Sequence, residues 1–259
     1  MAQARKLHDE FFKKAKADGY VARSAYKLQE IDDRKKVLRS GDRVLDLGCA
    51  PGSWLQVVQE RIGPRGLAVG VDLKAVSPDT GLGRGVSNVR TIVADVFALT
   101  PESIAAELGR ADGRRDRQPP GAGADNPPPP GLRFNVILSD MAPSTEGGAG
   151  GTVDHLRSMQ LCRRVLALAV TLLENRGSLV MKVFEGEHYP ALLRETENVF
   201  GDVKGFKPDS SRDVSREMFI IAKGFKREKA ATPIPLPPGV AKAAPEPRPG
   251  WGAPKGPGR

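Results

Sequence analysis

Val44-Leu45-Asp46-Leu47-Gly48-Cys49-Ala50-Pro51-Gly52-Ser53-Trp54 decides how the rest of the chain is read. The stretch opens as a short apolar run, meets an acid, and breaks at glycine and proline. An apolar pattern of helical spacing follows: Trp54, Leu55, Val57, Val58 and Ile62. Strand, tight glycine turn and helix in that order open a nucleotide-binding α/β unit. Gly48 and Gly52 let the backbone take positive φ or approach a ligand closely. The helix after the turn would aim free N–H groups over the strand end, with Ser53 as its expected N-cap. A second apolar run from Leu67 to Val71 ends in Asp72, at the strand tip where such folds hold ribose hydroxyls.

These features do not by themselves separate a dinucleotide from S-adenosylmethionine, because both place an adenosine ribose at this point. The turn leans one way. A dinucleotide turn wants a third glycine so that the helix sits close under a pyrophosphate. Trp54 and Leu55 crowd that position here, which suits a ligand without one.

The length of 259 residues allows one good core with appendages, and a hydrophobic content of 39% suggests that part of the chain does not fold. No apolar run is long enough for a membrane span, and the charged N-terminus has no signal-peptide core. Cys49 and Cys162 form no disulfide or metal framework, which fits a reducing cytoplasm. The three histidines, His8, His155 and His188, are scattered, and no metal site is read from them.

The net charge is +9, and its distribution says more than its size. Residues 1–40 carry 11 Lys/Arg against 6 Asp/Glu, and residues 226–259 carry 7 against 2. The 185 residues between them are near neutral, with 22 against 23. Basic arms on a neutral body suit a polyanion such as RNA, although charged tails also serve solubility alone.

Residues 1–19 read as a basic N-terminal arm. Ala22, Ala25, Tyr26, Leu28 and Ile31 then make a helical stripe, with Arg23 and Lys27 sharing another face. Strands are expected at 43–47, 67–72, 89–94, 134–139, 178–183, 202–206 and 217–222. Helices are expected at 53–62, at 101–109 behind a Thr100 cap, at 155–174 with Leu156 and Met159 turned inward, and at 189–200. Asp95, just past the third strand, is placed to accept from an adenine amino group, or else caps a loop. Asp140, just past the fourth, lies beside the reactive end of a cofactor. Residues 144–152 form a glycine-rich candidate substrate loop. The segment at about 110–131 holds six prolines and almost nothing apolar, and reads as a disordered insertion. The chain from 226 to 259 reads as a disordered basic, proline-rich tail. Lys182 stands at the end of a central strand and needs an acid facing it, for which Asp140 is the natural partner. Glu217 opens another apolar strand nearby.

With Lys27, Asp140, Lys182 and Glu217 in place, the chain resembles the FtsJ/RrmJ-type (RlmE) ribosomal RNA 2′-O-ribose methyltransferases from about Tyr20 to Lys223. The resemblance is carried by ARSAYKLQEID, VLDLGCAPGSW, VDL, ADV, LSDMAPSTEG, VMKVFEGE, KPDSSR and SREMFIIAKGF. It implies a Rossmann-like class I S-adenosylmethionine-dependent methyltransferase over residues 20–225. The sheet would have seven strands, mainly parallel, with the last antiparallel and helices on both faces. It implies that Gly52, Trp54, Asp72, Asp95 and Asp140 line the cofactor site and that Lys182 is the catalytic residue, in one set with Lys27, Asp140 and Glu217. The implied reaction is 2′-O-methylation of a uridine in the A-loop of 23S rRNA within the assembled 50S subunit, by a cytoplasmic monomer needing no metal. The alternatives are a transfer-RNA 2′-O methyltransferase, a non-catalytic RNA-binding assembly factor and a nicotinamide-dependent dehydrogenase. The last of these has no use for the two lysines or Glu217.

Overall fold

The computed structural model describes residues 11–82, 88–111, 132–143, 152–211 and 216–229. Seven strands form one sheet: β1 (Arg43–Leu47), β2 (Leu67–Asp72), β3 (Val89–Val93), β4 (Phe134–Ser139), β5 (Leu173–Phe184), β6 (Asp202–Phe206) and β7 (Glu217–Lys223). Their order is β3-β2-β1-β4-β5-β7-β6. Only the pairs that involve β7 are antiparallel. After β3 the chain crosses back over β1 to lay down β4. The order therefore reverses between β1 and β4, and a crevice opens at their carboxyl ends.

Helical residues 11–17 (α1) are followed by α2 (Ala25–Lys35), α3 (Ser53–Ile62), α4 (Pro101–Ala111), α5 (Thr152–Leu172) and α6 (Tyr189–Glu197). The period-two alternation of the strands divides the core. Val44, Leu138, Val180 and Phe219 face α2 and α3, where they meet Leu28, Ile31, Trp54 and Leu55. Leu45, Ile137, Met181 and Val183 face the other way, onto Ile104, Met159, Val165 and Leu192. Thr100 and Ser103 exchange hydrogen bonds, each side-chain oxygen accepting from the other's backbone N–H, and so close the start of α4 as the sequence predicts.

Several boundaries differ from the sequence reading. Gly52, at φ 117°, takes the cap position of α3, and Ser53 is its first helical residue; the Ser53 Oγ lies 2.8 Å from the Ser24 Oγ. α5 begins at Thr152 and ends at Leu172, because β5 already pairs Leu173 with Phe134. A register slip, with Arg176 at φ 65°, then leads to the Val136–Ser178 pairing. Leu156 is 44% exposed, since the buried stripe of α5 runs through His155, Met159, Cys162 and Val165, about a quarter turn away. α6 stops at Glu197.

Residues 1–10 of the arm, 112–131 of the proline-rich segment, 144–151 of the glycine-rich loop, 212–215 and 230–259 of the tail lie outside the described residues. No helix among the described residues is long and apolar enough to cross a membrane.

Candidate active site

The carboxyl ends of β1 to β4 surround a cleft of about 370 Å³ whose lining includes Gly48, Asp72, Asp95, Phe97 and Asp140. Gly48 sits at φ 82°, and a Cβ there would lie 2.4 Å from the Met141 side chain. Only glycine lets the segment after β4 close against the turn after β1. The Asp72 carboxylate is fixed at the tip of β2: one oxygen accepts from the Ala50 N–H and the other from the Lys74 N–H, each at 2.9 Å. Asp95 accepts from the Phe97 N–H at 2.9 Å, so it shapes its own loop while it lines the cleft. Leu73 and Phe97, 69% and 37% exposed, offer apolar surface beside these two acids.

Gly52 and Trp54 are not among the cleft-lining residues. A Cβ on Gly52 would press into Val76 and Thr80, so its glycine serves loop packing. The Trp54 side chain is buried, stacks on Phe219 at 5.8 Å and donates from Nε1 to the Ser24 carbonyl at 2.9 Å. It ties α2, α3 and β7 together.

Beside the cleft the structure gathers the four residues that the sequence singled out. Lys182 Nζ lies 2.9 Å from Asp140 Oδ1, an ion pair without hydrogen-bond alignment, and donates to the Asp140 carbonyl at 2.6 Å. Lys27 Nζ meets Glu217 Oε1 at 2.5 Å, and Ser211 Oγ donates to the same carboxylate at 3.2 Å. Antiparallel pairing of Phe184 with Glu217 and of Lys182 with Phe219 places Lys182 and Glu217 on one face as diagonal neighbours. Lys27 reaches that face from α2. It is only 9% exposed, so it does not share an outward basic face with Arg23. Burial pushes the Glu217 carboxyl up, but the charges of Lys27 and Lys182 and the bonds from Lys27 and Ser211 outweigh it and hold the group below its ordinary range.

The sequence reading missed two supports. Asp46 is fully buried in β1, and neither of its carboxyl oxygens has a partner among the described residues. Burial first, and the charges of Asp140 and Asp72 after it, raise its carboxyl well above the ordinary value. Its carboxyl, beneath the site, is shifted toward the protonated form. Its signal was an acid inside an apolar strand. His155 is buried on α5, with Nδ1 2.9 Å from the Phe184 carbonyl and Nε2 accepting from the His188 N–H at 3.1 Å. With Ser158 Oγ accepting from the Phe184 N–H at 3.0 Å, it pins the turn that follows the strand of Lys182. Nothing in the spacing of the histidines announced this. Among the described residues no group of three His, Cys, Asp or Glu is arranged to hold a metal ion.

A family model described as FtsJ-like methyltransferase matches residues 20–225. The chain belongs to the FtsJ-like methyltransferases. It is 40% identical over 82% of its length to the ribosomal RNA large subunit methyltransferase E of Desulfatibacillum aliphaticivorans, covering 88% of that protein. It is 39% identical over 85% of its length to the enzyme of the same name from Syntrophobacter fumaroxidans, covering 98%. Among solved structures, a Plasmodium falciparum protein described as a ribosomal RNA methyltransferase superposes with a TM-score of 0.60 at 26% identity, over 80% of this chain and 98% of that one. In this FtsJ-like chain, the seven-stranded sheet with its single reversed strand is the Rossmann-like class I methyltransferase fold.

Proposed function

We propose that this protein transfers a methyl group from S-adenosylmethionine to the 2′-hydroxyl of a uridine ribose in 23S ribosomal RNA. The target lies in the A-loop of the peptidyl-transferase centre, and the substrate is the assembled large subunit. The enzyme works in the cytoplasm as a monomer and needs no metal. The observation that carries the reading is Lys182: a lysine at 9% exposure, gripped by the carboxylate and carbonyl of Asp140 at the rim of a cleft lined by strand-tip acids. The names of the relatives, ribosomal RNA large subunit methyltransferase E, support the substrate class.

The cleft fits the cofactor. Asp72 faces where ribose hydroxyls would donate, Asp95 where an adenine amino group would, and Leu73 and Phe97 offer apolar surface for a flat ring. When bound, the cofactor supplies an electrophilic methyl group on a sulfonium. The residues then have two tasks. They hold the ribose hydroxyl in line, and they relieve it of its proton as it attacks. If its amine is neutral as the hydroxyl attacks, Lys182 does the second by taking that proton onto Nζ; otherwise it steers the hydroxyl through a hydrogen bond while the proton passes to solvent. Asp140 fixes the ammonium at its post. The Lys27–Glu217 pair walls the pocket and keeps Glu217 ionised.

Methyl transfer from labelled S-adenosylmethionine tests this. Large subunits from a strain lacking the enzyme, naked 23S RNA and transfer RNA are offered separately. Label on the large subunit alone is the expected result; label on transfer RNA contradicts it.

A further inference from the structure

At the amino ends of β1, β4 and β5, opposite the cleft, a second cavity of about 390 Å³ is lined by Lys36, Arg39, Arg176 and Lys223, with Asp42 and Glu174 as its acids. Lys223 donates to the carbonyls of Lys35 and Lys36 and so closes the carboxyl end of α2. Arg39, Lys36 and Arg176 are exposed, and none of the three is ion-paired among the described residues. Lys36 and Arg176 share a second property. Among the described residues they alone adopt positive φ without being glycine, at 51° and 65°; seven glycines hold the other such positions. Lys36 ends α2 in the left-handed conformation, where glycine is the favoured residue. A cation thus stands at each of two places where the backbone alone asks for glycine, and both line one cavity.

The described residues that follow Phe225 are mostly basic. The Arg176 N–H donates to the Phe225 carbonyl at 2.8 Å, and Lys226, Arg227 and Lys229 follow, with Glu228 among them. Burial and then the charge of Arg227 push the Arg133 guanidinium down, against the opposing charge of Glu174.

We propose that this cavity is a second RNA-binding surface, in which Lys36, Arg39 and Arg176 hold backbone phosphates of a segment remote from the target ribose. Arginine forks and a lysine ammonium suit phosphate oxygens and read no sequence, so the surface positions the substrate and does not select the nucleotide. Strands of this length set it about 20 Å from the cleft, so its RNA segment differs from the one being modified. The inference rests on the RNA-directed reading above.

The test uses the full chain and the double variant Lys36→Gly/Arg176→Gly. Glycine relieves the left-handed backbone at both places, so the variant keeps its fold and melts within a few degrees of wild type. Binding to unmodified large subunits is measured across a salt series, together with methyl-transfer kinetics. The proposal expects a raised KM, an unchanged kcat and a slope of log affinity against log salt shallower by about 1.4 to 1.8, the release expected of two phosphate contacts. An unchanged slope and KM overturns it. Weaker binding with an unchanged slope overturns it too, since it would put a protein on the cavity in place of phosphates. If wild-type protein binds RNA but transfers no methyl, the reaction assigned above fails, while the salt slopes still decide the surface.

Discussion

In the proposed reaction Lys182 carries the chemistry, and its substitutions separate the two ways in which it could act. Lys182→Ala should lower kcat by about 10²- to 10⁴-fold, the span of general acid–base effects, with cofactor affinity by calorimetry nearly unchanged. Lys182→Arg keeps the charge and the donors but cannot accept a proton at neutral pH. An inactive arginine variant would mark the amine as the base; substantial residual turnover would mark it as an orienting group. Glu217 and Asp46 titrate in opposite senses. The folded-state pKa of Glu217 is depressed, so its stabilising effect is present above its ordinary value and is lost as pH falls through the folded value. Glu217→Gln should therefore lower the melting temperature at pH 7 and lower it less at pH 4. Asp46 is raised, so the folded state holds a proton that the unfolded chain releases, and stability falls as pH rises above about 4, the ordinary value. Asp46→Asn should remove that fall, and its melting temperature relative to wild type should climb between pH 4 and pH 7. Lys27, Asp140, Lys182 and Glu217 were legible because each is a charge set in or beside an apolar element. What α2 does with Lys27 was not, because a helical stripe tells which residues share a face but not which distant carboxylate meets them.

Two elements hold the site in shape, and each has a point of failure. Phe184, Glu185 and Gly186 continue β5 past Lys182 under the ring of His155. A Cβ on Gly186 would lie 2.6 Å from that ring. Gly186→Ala should cost about 1–3 kcal/mol in denaturant unfolding and lower kcat more than cofactor affinity. Trp54 joins α2, α3 and β7, so Trp54→Ala should cost about 3–5 kcal/mol, read by the same unfolding curves. All the strands but β6 were legible as apolar runs ending in acids or glycine. Leu173 was assigned to a helix because its place in β5 depends on pairing with Phe134, thirty-nine residues earlier, and no local pattern shows that. Gly52 displaced Ser53 from the cap because the turn needs a φ that serine disfavours.

The whole molecule has two charged ends on one sheet. Its carboxyl end gathers acids and lysines beside a cleft, and its amino end gathers four cations and two acids around a cavity. The overall surplus of +9 was visible in composition. That Lys36 and Arg176 line one cavity was not, since the end of α2 and the start of β5 come together only in the folded sheet. The most direct test of the account is where the methyl group lands. Product from wild-type protein, labelled cofactor and unmodified large subunits is digested with alkali, which cleaves RNA through a free 2′-hydroxyl. The account predicts label in one alkali-resistant dinucleotide with uridine at its 5′ side. Label released as an ordinary mononucleotide, with the methyl on the base, would contradict it.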